Sequence, residues 1–133
     1  MGWLAVLALV HPAVLLARPR RRAVLAVVLA TGLVTFVGAL GTVLYPPYRN
    51  TLKQRLFVQS PSIGWLFERK EHLAVGAIAL AWVGCVAHLS VSWFPDPARD
   101  RVARAAHVSF VLAAMLATAT AVLGVIVSVH TTF

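Results

Sequence analysis

From Ala23 to Leu44 the chain runs through 22 residues without one charged side chain. A second stretch of this kind covers His72 to Trp93, and a third fills most of the block from Val102 to Val129, with Arg104 near its start. About 20 apolar residues in helical form cross the ~30 Å hydrocarbon core of a bilayer. A helix also pairs its backbone groups internally, which hydrocarbon demands. A fourth apolar block, Gly2 to Ala17, is shorter and contains Pro12, and it reads as a tilted or partly interfacial helix. The pattern predicts an all-α fold, an integral membrane four-helix bundle. It forms a single transmembrane domain over residues 1–133, with helices at about 2–17, 23–44, 72–93 and 102–129 and an extramembrane loop at 46–70.

Composition agrees. Hydrophobic residues make up 60% of the 133 and charged residues 12%, about half the ~25% of a soluble domain. A soluble chain this short cannot hide so much apolar surface. An ordinary cytosolic enzyme and a disordered tail are both excluded. The single cysteine, Cys85, excludes a disulfide framework and a paired-cysteine redox motif. The net charge of +8 comes from basic residues placed between apolar blocks, where they orient a membrane protein, so no nucleic-acid partner is expected.

The first block carries its positive charge after the apolar run, at Arg18, Arg20, Arg21 and Arg22, whereas a cleaved signal peptide carries it before. A retained anchor is expected. The first and third loops hold seven Lys and Arg against five in the second loop. This bias predicts both termini outside and loops one and three in the cytoplasm, as in a bacterial inner or plasma membrane. In the second loop Pro46–Pro47 is expected to stop helix two, and Ser60-Pro61-Ser62 breaks the loop again. Between them Leu52, Leu56 and Phe57 share a helical face, so a short amphipathic helix on the membrane and an irregular loop are both open readings. Small residues recur on helix three (Ala77, Ala81, Gly84) and helix four (Ala114, Thr118, Ala121), which suits close helix packing in lipid.

No Asp or Glu lies deep in any span. That disfavours a proton-coupled transporter built on a buried carboxylate, and no phosphate-binding glycine loop is present. Five histidines remain: His11, His72, His88, His107 and His130. Counted from the cytoplasmic helix ends, His88 and His107 fall at one depth, roughly 9 Å in, with His11 near the same level. Neutral imidazole is a common ligand of haem iron, and bundles build such sites from facing side chains. The sequence therefore points to His88 and His107 as axial ligands of one haem b, with His11, His72 and His130 in reserve. Gly84, Ala81 and Ala114 would leave room for the macrocycle, and Arg101 and Arg104 would meet its propionates. A second haem on His72 and His130 is disfavoured. At 100° per residue, His72 and His88 point roughly 160° apart, and His107 and His130 roughly 140° apart.

With helices joined by short turns, His88 and His107 at matched depths and Arg104 beside one of them, roughly half the chain resembles small membrane b-type cytochromes and the haem-binding anchor subunits of respiratory complexes. The resemblance implies electron transfer through haem b within a larger membrane complex. It implies no enzymatic activity by the chain alone, only a share in that of an oxidoreductase complex. The length, the four helices and the Glu68–Arg69 pair are also similar to membrane-associated glutathione transferases. The asparagine that follows the pair there is absent here, where Asn50 is the only asparagine. The alternative is a haem-free accessory subunit whose histidines are structural and whose surfaces bind other membrane subunits.

Overall fold

A computed structural model describes residues 2–17, 23–50 and 54–129, and among them every regular element is helical. Four long helices, α1 (Gly2–Leu16), α2 (Val24–Tyr48), α4 (Pro61–Ser90) and α5 (Ala98–Val129), are joined by the six-residue α3 (Gln54–Gln59) and a 3-10 turn at Val91–Trp93. Three stretches are long and apolar enough to cross a membrane: Val24–Pro46, Pro61–Trp93 and Ala98–Val129. Helix α1 is apolar but shorter.

Helix α1 packs on α2 and α5, and α4 packs on α2 and most extensively on α5. The long helices thus form a ring in chain order. Register follows from close approaches. Gly84 lies against Phe110 and Ala106, Gly76 against Leu116, and Gly124 against Lys70, so α4 and α5 run antiparallel along their full length. Gly2 lies against Ala121 at the far end of α5. The start of α1, helix α3 and the end of α5 share one end of the ring. The α4–α5 turn lies at the other.

The core is built from small side chains. Ala77, Ala81, Ala113, Ala114, Ala117 and Ala121 are buried around the larger Leu9, Val27 and Phe110. Large apolar residues such as Leu25, Leu29, Phe36, Val75, Val86 and Met115 point outward. Small residues inside and large ones outside let helices approach closely where no water drives them together. Buried Thr31 adds a polar tie: its hydroxyl donates to the Val27 carbonyl at 2.9 Å and reaches the Ala81 carbonyl on α4 at 3.4 Å. Nearby, the Trp82 indole donates to Thr35 Oγ1 at 3.0 Å.

Two expectations about the second loop need correction. Helix α2 runs through Pro46 and Pro47 to Tyr48. The prolines sit in its last turn, where their missing N–H groups cost only the bonds to the Thr42 and Val43 carbonyls. The stretch assigned to loop also contains the first turns of α4, which begins at Pro61 behind the extended Ser60. Proline suits the first helical position, since that N–H has no helical partner. Burial secures this extension, because Ile63 and Phe67 pack with Val127 and Tyr45. The short helix between the prolines is α3. Its Phe57 packs on Gly64 and meets Trp65 edge-on with centroids 6.1 Å apart. Leu52 of that expected face lies outside the described residues, as do Arg18 and Arg20–Arg22 of the first loop.

Candidate functional site

The register places the two expected ligands at one end of the α4–α5 pair. His88 stands across from residues 104–106 of α5, and His107 across from residues 85–87 of α4, so both lie within about one helical turn of a common level. Both are half-buried. Their directions differ. His88 follows Gly84 by one turn and shares the face of α4 that meets α5. On α5 that seam belongs to Ala106 and Phe110, and His107 is turned away from them toward α1 by roughly 60–100°. The two imidazoles share a level without opposing each other across one seam.

The room expected beside the small residues is taken. Phe110, 0% exposed, lies against Gly84, where an added Cβ would come within 2.9 Å of its ring and 3.2 Å of the Ala106 carbonyl. Ala81 and Ala114 are buried in the same core. These positions let the helices touch. A haem between α4 and α5 at this level would have to displace Phe110. Sequence reasoning missed Phe110 because a helix apolar on every side carries no periodic sign of which side chain points inward.

The polar groups of this end are partly unmet. His107 Nδ1 is buried and has no hydrogen-bond partner. Arg101 and Arg104 are exposed on the first turns of α5, and Arg99 pairs loosely with Asp96 at 3.7 Å. The reserve histidines lie elsewhere. His11 is exposed on α1 and stands opposite about Leu112, some 8 Å along the axis from His107. His72 is exposed at the other end of the bundle, with Nδ1 2.9 Å from the Glu68 carbonyl. His130 lies outside the described residues. Among the described residues no three His, Cys, Asp or Glu side chains come together as a metal-holding group.

Starting one turn along α5 from His107, an open cleft of about 400 Å³ between α1 and α5 is lined by Val10, Ala13, Val111, Ala114, Met115 and Thr118. Its wall is apolar even at Thr118, whose hydroxyl donates to the Ala114 carbonyl at 2.8 Å.

Comparisons with protein families, with characterised proteins and with solved structures find no match to this chain.

Proposed function

We propose that the chain is a multi-pass membrane protein acting as a haem-free accessory subunit of a larger membrane complex. In this reading both termini lie outside and the α4–α5 turn lies in the cytoplasm. One observation carries it: the interior is closed by small residues around Phe110 while the large apolar side chains face outward. A filled interior holds no substrate, so the working surface is the outer one, which meets lipid and other subunits. The arginines after α1 and at the start of α5 supply the orientation. In the test, the chain purified from its own membranes should have a visible spectrum without haem bands and should migrate with other subunits before detergent exchange. Cysteine labelling after replacing Cys85 should reach position 60, and not position 20, from outside. Haem bands at one equivalent per chain overturn the reading.

A second reading keeps haem b, and the unpartnered Nδ1 of His107 at the level of His88 favours it. Here His88 and His107 would hold the iron and Arg101 and Arg104 would face the propionates, with Phe110 turned aside. The haem would supply one-electron exchange. Loss of a low-spin spectrum in both His88→Ala and His107→Ala, with His72→Ala unchanged, would establish it in place of the first.

A further inference from the structure

We propose that the cleft between α1 and α5 binds one anionic phospholipid, with an acyl chain along the cleft and the phosphate at Arg104. The inference rests on the membrane reading above and goes beyond it. The cleft walls, Val10 and Ala13 on α1 and Val111, Ala114, Met115 and Thr118 on α5, present apolar surface throughout. Along α5, Arg104, His107, Val111, Ala114, Met115 and Thr118 fall within an arc of roughly 100°. The stripe that lines the cleft therefore continues, two turns beyond Val111, to an exposed guanidinium. Helix α1 ends at Leu16, level with about His107, so among the described residues α1 does not reach Arg104. An apolar trough that ends in a cation matches an amphiphile with an anionic head.

The main competitor is a helix of another chain. It would cover the apolar wall but calls for no cation at the end of the trough, whereas an anionic lipid uses both. Guanidinium binds phosphate oxygens in pairs, and a head group with no cation of its own keeps its net negative charge, which is what favours an anionic over a zwitterionic lipid at Arg104.

The test uses the full chain reconstituted in vesicles of equal phosphatidylcholine and phosphatidylglycerol, released into mild detergent and weighed intact by native mass spectrometry. One retained lipid per chain is expected. Retained phosphatidylglycerol should outnumber retained phosphatidylcholine by about five to one, against one to one in the vesicle, the worth of roughly 1 kcal/mol for one basic side chain near an anionic lipid. Arg104→Gln should keep the single lipid and return its composition to that of the vesicle. Val10→Phe and Val111→Phe, each filling the trough from the lipid side, should abolish retention of either lipid while the helical circular-dichroism signal is unchanged. Retention without head-group preference, retention that survives both phenylalanines, or a dimer in place of the lipid overturns the inference. Alkaline extraction of the vesicles separates the two failures. A chain that resists extraction yet keeps no lipid refutes this inference alone, and a chain that is extracted refutes the membrane reading as well.

Discussion

The two ends of the bundle hold similar residues to different standards. At the end formed by α3 and the start of α4, His72 is bonded to the Glu68 carbonyl, Lys70 lies over the Phe67 ring at 4.8 Å, and Phe57 meets Trp65. These three contacts are made within eight residues in sequence, while Phe67 and Ile63 are buried against the distant Val127 and Tyr45. At the end formed by the α4–α5 turn, Phe110 packs against Gly84 as Phe57 does against Gly64 at the other. Yet His107 Nδ1 is buried without a partner, and Arg101 and Arg104 stand exposed. A buried nitrogen left unpaired costs about 1–3 kcal/mol. Structure alone gives no return for that cost, so the His107 end is where a ligand or another subunit is to be sought.

Paired substitutions test this contrast. Phe110→Ala should have the largest effect, a loss of about 3–5 kcal/mol for a fully buried ring between two long helices. Phe67→Ala, in its small cluster with Ile63 and Val127, should cost less. Unfolding of the detergent-solubilised protein reads both, and an equal loss would erase the distinction. Gly84→Ala follows at about 1–3 kcal/mol, because the new methyl meets a ring and a carbonyl that cannot retreat. Gly64→Ala meets only the Phe57 ring on the six-residue α3, which can shift, so its unfolding midpoint should move much less. The histidines come last and differ in sign. His107→Leu should leave stability unchanged or raise it by up to ~1 kcal/mol, since it removes an unpaired nitrogen. His72→Leu should lower it by less than ~0.5 kcal/mol, as expected of an exposed site. A clear loss in His107→Leu would mean that the nitrogen is satisfied in the folded protein.

The same contrast marks how far the sequence could be read. The apolar blocks located α1, α2 and α5, because length and absence of charge alone define such helices. The level shared by His88 and His107 also follows from counting, since a short turn from Pro95 forces antiparallel neighbours. Facing directions do not follow, because helices apolar all round give no phase. The small residues could therefore be read both as packing stripes and as room beside a macrocycle, and the structure uses Gly84, Ala81 and Ala114 for packing. Charge misled in the opposite way at the start of α4. Glu68, Arg69 and Lys70 fall within the expected loop at 46–70, just before the expected helix start, and the helix persists there because Ile63 and Phe67 bury one side of it.

If the chain spans a membrane as proposed, the stagger of charge along the α4–α5 pair has a consequence for the bilayer. Lys70 and Glu71 of α4 lie across from about Val122 and Leu123 of α5, and Arg104 of α5 lies across from about Leu89 of α4. Only the interval between these two levels is free of full charge on both helices, about 17 residues or ~25 Å of helix. That is shorter than the ~30 Å hydrocarbon of an average membrane. Long side chains extend it a little, as Lys70 does by lying back over Phe67. In the proposed membrane setting, the remaining mismatch would favour a locally thinned bilayer around this pair and would sort the protein toward thinner membranes.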